Sequence, residues 1–358
     1  MSAPTLATTT RRARAATAHA SDYSALLKQV KDQGLLERRY TYYAVRATLL
    51  AVALAGIIVG AVFLGDSWVQ AALAAALAVV VVQVVFLSHD AAHRQIFKSN
   101  RANETAALVM GALVGGISLA WWNNKHNKHH AAPNTIGKDT DITPSVVHFY
   151  PAESPPRSTV GRLLHERQGW WFFPLLMVEE INLQVQSVIA VLTRPGMRRR
   201  GAEITLMALR LLGYPALLFI FLPAGKAAAF LGIQAALTGL YLGAAFAASH
   251  IGMQVLPHDS RIDFFRRQVL TSRNVSGGRI AGWAMGGLNW QIEHHLFPNM
   301  PRPNLRRSVP LIRGYCVEKQ VAYHQLTIFR AWATVVGYLN QVGLASKDAF
   351  RCPMAAMR

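Results

Sequence analysis

The chain alternates between long uncharged stretches and short, strongly basic segments, and that alternation predicts its architecture. Ala47 to Gly65, Ser67 to Ser88 and Ala227 to Ser249 carry no charged residue over 19, 22 and 23 positions. Roughly 20 apolar residues in a helix cross the hydrocarbon core of a bilayer. A fourth stretch, Ile204 to Ala224, carries only Arg210, whose long side chain is expected to snorkel to the interface. The predicted spans are therefore about 45–65, 67–88, 204–224 and 227–249.

Two other apolar stretches are read differently. Thr105 to Asn124 is uncharged over 20 residues, but a crossing there would leave the histidines on either side of it roughly 30 Å apart. Gly111, Gly115, Gly116 and Ser118 permit a bend, so a re-entrant or interfacial hairpin is expected. Trp170 to Leu192 has Glu179 and Glu180 at its middle and is expected to lie on the membrane as one amphipathic helix. Residues 1–40 read as a cytoplasmic tail, 41–325 as one membrane domain and 326–358 as a second cytoplasmic tail, with no internal repeat. The first 20 residues have the composition of a disordered segment, and no apolar core follows their arginines as in a cleaved signal peptide.

Composition agrees with a membrane class, at 52% apolar and 15% charged residues. A formal net charge of +19 invites a nucleic-acid reading, but the placement of the charges decides against it. Only Asp66 and Lys226 fall in the outward loops, whereas Arg38, Arg39, Arg94, Lys98, Arg198, Arg199 and Arg266 are among the many that flank the opposite ends. The positive-inside rule then puts both termini and residues 89–203 in the cytoplasm. That basic face would also suit anionic lipid headgroups or an acyl thioester's phosphates. Cys316 and Cys352 form no C-x-x-C pair, so neither a disulfide framework nor a cysteine metal site is expected.

The chemistry lies in the histidines. Seven of the thirteen fall in three clusters: His89 and His93 in HDAAH, His126, His129 and His130 in HNKHH, and His294 and His295 in QIEHH. Spacings of three and four residues put imidazoles on one helix face, and H-x-x-H-H should arise by chance only roughly 0.02 times in such a chain. Imidazole ligates Zn, Cu, Fe and Ni. Seven ligands exceed the three or four that one zinc needs, so two metal ions are the economical reading. The Glu-x-x-His signature of carboxylate-bridged di-iron bundles is missing from the sequence. The fold expected is an all-α integral membrane protein, with four transmembrane helices, interfacial helices and a cytoplasmic helical cap holding a histidine-rich dinuclear site.

These boxes resemble those of the membrane fatty acid desaturases in order, spacing and position relative to the spans. WWNNKHNKHHAAPN and NWQIEHHLFPNMPRPNL resemble long family signatures, and SHIGMQV (249–255) resembles the segment that carries a further histidine ligand. The resemblance covers roughly residues 40–325. It implies two non-haem irons, O2 activation, removal of two hydrogens from a long acyl chain, and His89, His93, His126, His129, His130, His294 and His295 as ligands, with His250 as an eighth. Gln291 stands where many relatives have histidine, as in the subgroup acting on the carboxyl side of existing double bonds. Many members of that subgroup carry a fused haem domain with a His-Pro-Gly-Gly signature, but here no His-Pro dipeptide occurs. A separate ferredoxin or flavoprotein reductase is therefore implied as electron donor.

Around the clusters, Asp90 is a candidate to orient His93, three residues on. Asn274 is a candidate contact to a metal-bound water, against the default of a turn asparagine. His148, His165, His258 and His324 have no second histidine at helical spacing and His19 sits in the tail, so all five are read as structural or incidental. A related histidine-box hydroxylase is the nearest alternative activity. A metal transporter fits less well, since its ligands would sit at mid-bilayer on the spans.

Overall fold

The computed structural model describes residues 22–151 and 158–345. The expected disordered stretch 1–20, His19 and Cys352 lie outside them. A short helix, α1, covers residues 22–32. The first hairpin of long helices is α2 (Tyr40–Leu64) and α3 (Gln70–Ala92). Next come α4 (Asn100–Leu108), a π-helical turn Val109–Gly115 and α5 (Leu119–Ala131), followed by α6 (Thr159–Glu166), α7 (Gln168–Leu176) and α8 (Glu179–Thr193). A second long hairpin comprises α9 (Arg200–Ala208), a π-helical turn Leu209–Gly213, α10 (Tyr214–Phe221) and α11 (Ala224–His250). The C-terminal part contains α12 (Phe264–Leu270), β1 (Asn274–Ser276), α13 (Gly278–Ala284), α14 (Gln291–Leu296), α15 (Arg302–Glu318), β2 (Gln325–Thr327) and α16 (Ile328–Ala345).

Four segments are long and apolar enough to cross a bilayer: Tyr40–Leu64, Gln70–Ala92, Arg200–Phe221 and Ala224–His250. They overlap the four expected spans, with ends displaced by one to five residues. Among their most apolar windows, 67% of α3 is buried against 6% of α2 and 11% of α9–α10, so α3 and α11 form the centre and the other two face lipid. Chain polarity at the centre is satisfied internally, as hydrocarbon requires: Gln83 on α3 donates to Tyr241 Oη at 2.9 Å and to the Trp283 carbonyl at 3.0 Å.

The stretch around Gly116 bends as expected. The two arms Asn100–Gly115 and Leu119–Ala131 meet at 107°, and Gly116 turns the corner with φ of 70°, a conformation that costs glycine nothing. His89, at the end of α3 ahead of this hairpin, and His126, on its second arm, meet at one point, as described below, so the chain returns to the level from which it entered.

Three expectations need correction. Trp170 to Leu192 is not one helix but two, α7 and α8, bent by 69°; α7 and α8 both pack on α11, where Gly239 leaves room for the Leu176 carbonyl. Arg210 does not snorkel. It is buried and pairs with Glu180 Oε1 at 3.1 Å and Gln234 Oε1 at 2.9 Å, because these two partners satisfy it inside the protein more cheaply than the interface would. Finally, the described parts of the expected tails, residues 22–40 and 326–345, are built into the fold. Leu26 and Val30 of α1 pack in a core with Phe265, Ile292, Leu305 and Ile312. Ala331, Val335, Leu339 and Val342 form a buried stripe on α16, at the i, i+4 spacing of an amphipathic helix, and α16 lies on α7 and α11. Parallel pairing of β1 with β2 fastens the start of α16 beside the third histidine box.

Candidate metal centre

Each histidine box is carried to one point by a different element. The last turn of α3 supplies His89 and, as its C-cap, His93. The second half of α5 supplies His126, His129 and His130, the last residue of α11 is His250, and α14 supplies His294 and His295. Side-chain caps set the start of α5, where Ser118 accepts from the Trp121 amide. The loop after α5 is sewn to the loop after α11: Leu256 N donates to Asn134 O at 2.8 Å, and Asn134 Nδ2 to His250 O at 3.1 Å. These ties bring His250 to the second box, although 120 residues of chain separate them.

The eight imidazoles sort into two groups. His89, His93, His126, His130 and His294 form one, and His129, His250 and His295 the other; within each, one ring nitrogen per residue lies within 4.8 Å of all the rest. The His89, His93 and His130 Nε2 atoms stand 3.0, 2.9 and 3.0 Å from His126 Nε2. One proton can bridge only one such pair, so neutral rings arranged this way mostly oppose their lone pairs. A cation among them turns that repulsion into coordination. Burial, and then the surrounding imidazoles, hold His294 and His295 well below the ordinary histidine range, which leaves them as neutral donors. Both ring nitrogens of His294 and Nε2 of His295 are buried without a hydrogen-bond partner. The arrangement fits metal coordination.

The second group is oriented from outside. His129 Nδ1 lies 2.9 Å from Asp139 Oδ2, His250 Nδ1 lies 3.0 Å from the Thr271 carbonyl, and His295 Nδ1 lies 3.0 Å from Gln268 Oε1. All three partners are acceptors, so the protons sit on Nδ1 and the Nε2 lone pairs face inward. Burial alone would raise the Asp139 carboxyl, but His129 and the amides of Asp141 and Asn134 hold it down to about 2. Gln268 also donates to the His130 carbonyl at 2.9 Å, so one side chain joins the second box to the third. Asp139 and Gln268 escaped sequence reasoning because neither sits at helical spacing from a histidine.

The three outlying candidates fall as follows. Asp90 does not pair with His93: Oδ1 is 3.6 Å from His89 Nδ1, and Oδ2 forms a 2.7 Å ion pair with Arg302, which draws it away. Asn274 does not face the histidines. Its amide donates to Glu293 Oε2 and Tyr323 Oη and accepts from the Ile292 amide, so it steadies α14 through the buried Glu293. Gln291 does reach the centre, with Nε2 2.8 Å from His250 Nε2. Of the histidines set aside, His148 and His165 meet edge to face with centroids 4.6 Å apart.

A cavity of about 240 Å³ opens onto the centre, touching His126, His129, His250 and Gln291. Its walls are apolar, with Trp122, Phe149, Phe172, Leu183 and Phe246 among them, and an ion pair between Lys125 and Asp141 stands at its edge. Trp122 stacks on His126 with centroids 4.9 Å apart, so one ring forms both the cavity wall and the support of a histidine.

Comparison with known proteins agrees with this geometry. The profile of the family described as "Fatty acid desaturase" matches residues 66–327. The chain is 31% identical over 352 residues to "Fatty acid desaturase 3" of Bos taurus, covering 92% of this chain and 74% of that one. It is 26% identical over 341 residues to an "Acyl-lipid (9-3)-desaturase" of Borago officinalis, covering 91% and 76%. It is 24% identical over 340 residues to a "Delta(8)-fatty-acid desaturase" of Helianthus annuus, covering 91% and 74%. With four apolar spans, a buried histidine cluster and a family match over most of its length, this chain belongs to the membrane-bound fatty acid desaturases.

Proposed function

We propose that this desaturase introduces a cis double bond into a long acyl chain, carried as acyl-CoA or acyl-lipid, using O2, two non-haem irons and electrons from a separate ferredoxin or flavoprotein reductase. The observation that carries the reading is the contact of a largely apolar cavity with both histidine groups. His89, His93, His126, His130 and His294 would hold one ion and His129, His250 and His295 the other. Bound iron supplies the oxidising power that an unactivated C–H bond demands.

The protein's own residues do the rest. The aromatic walls hold the methylenes in register and exclude water, which protects a strong oxidant from side reactions. Asp139, Gln268 and the Thr271 carbonyl fix the imidazole tautomers. Removing two hydrogens while reducing O2 to two waters takes two further electrons and two protons from outside, and the polar rim at Lys125 and Asp141 supplies a wet edge. The charge asymmetry supports a cytoplasmic location for both termini and the centre, with the C-terminal helices and α1 as the cap.

Expression in a host with a simple fatty-acid profile, followed by mass spectrometry of the acyl products, tests the reading. New mono- or polyunsaturated acids that vanish in His129→Ala support it. Hydroxylated acids instead would identify a histidine-box hydroxylase.

A further inference from the structure

A second, larger cavity, of about 380 Å³, lies on the other face of α5. Leu119, Ala120 and Asn123 line it, whereas Trp122, Lys125 and His126 line the acyl cavity, so the two are separated by the helix. Its rim carries Arg94, Arg198 and Arg199, all exposed. Among the described residues none of the three pairs with a carboxylate; Arg199 donates to Thr105 Oγ1 at 3.1 Å. Of the two acids that line the cavity, Glu203 is taken by Ser118 Oγ and the Ala120 amide, which leaves Glu104 as the other acid in a lining with three arginines.

Two of these arginines sit where the backbone asks for glycine. Arg94, just past the end of α3, has φ of 59°, and Arg199, at the start of α9, has φ of 56°. Non-glycine residues there are strained, and such strain gathers at ligand clamps. Both positions mark the end of a membrane span, where lipid headgroups lie. Beside them the outer face of α4 offers an apolar surface, with Phe97, Ala106 and Val109 next to Thr105.

We propose that this cavity binds the headgroup of an anionic phospholipid, its phosphate between Arg94, Arg198 and Arg199 and one acyl chain along α4. The site is distinct from the acyl cavity and does not rest on the proposed reaction. Its floor, Ala91 and Ala92, adjoins His93, so occupancy steadies the α3 end of the metal centre.

The test is thermal unfolding of the full chain in neutral detergent, titrated with phosphatidylglycerol, phosphatidylcholine or inorganic phosphate. Phosphatidylglycerol alone should raise the midpoint. The pair Arg94→Gly and Arg199→Gly relieves backbone strain, so its lipid-free midpoint should equal or exceed that of the wild type, while apparent lipid affinity falls about twenty-five-fold, each arginine contributing about fivefold. Arg307→Gln, an exposed arginine on α15, should leave affinity unchanged. The proposal is overturned if the double variant keeps its lipid response, if Arg307→Gln loses it equally, or if phosphate alone reproduces the shift.

Discussion

Gln268 Oε1 accepts the Nδ1 proton of His295 at 3.0 Å. Because the same amide donates to the His130 carbonyl, Gln268 sets the orientation of one imidazole against the backbone of another box. Removing such an orienting partner typically weakens metal binding by about 10- to 100-fold. Gln268→Leu should therefore lose iron in a chelator competition while its helical circular dichroism stays that of the wild type. Unchanged chelator resistance would show that Gln268 only fills space.

His250 is tested by counting metal. His250→Ala removes one of three imidazoles from the smaller group, so iron per polypeptide should fall from about two toward one. His258→Ala, outside the cluster, should retain both. Full iron in His250→Ala would limit the ligand set to the seven box histidines.

The acyl cavity can be blocked without touching a histidine. Ala247 lines it and is buried on α11. Ala247→Phe should cut product formation by about a hundredfold at unchanged iron content, with acyl analogues no longer protecting Trp122 from fluorescence quenchers. Wild-type turnover would place the substrate elsewhere.

Glu180 and Arg210 form an ion pair buried among helices. Breaking such a pair by removing one member costs about 3–5 kcal/mol, whereas replacing both is often nearly neutral. Arg210→Leu should lower the unfolding midpoint in mixed micelles sharply. The double variant Glu180→Leu, Arg210→Leu should recover most of the loss, and a loss in the double variant as large as the sum of both singles would contradict this.

Topology can be read chemically at Arg101, exposed at the start of α4. A single cysteine there should react with membrane-impermeant maleimide only after the cytoplasmic side is opened. Labelling of intact cells would reverse the assignment.

The spans and boxes were legible because both are local signals: uncharged runs of bilayer length, and histidines at helical spacing. The position of His250 beside the boxes was legible too, although it stands alone in its segment, from its place at the end of a span. What escaped was set by tertiary packing. Nothing in the run around Arg210 announces Glu180, 30 residues earlier, as its partner. Asp90 was assigned to His93 by helix spacing, yet Arg302, more than 200 residues away, claims it. The stripe Ala331, Val335, Leu339 and Val342 repeats at helical spacing, but the surface that buries it, on α7 and α11, is again supplied by tertiary packing.

The two halves of the histidine cluster differ in how they are held. His129, His250 and His295 each lean on an acceptor supplied by the chain, whereas His89, His130 and His294 have no hydrogen-bond partner at Nδ1. The three inward-facing donors of the first set are aimed by the fold itself. If two ions bind as proposed, the three-histidine position should therefore be the first to load.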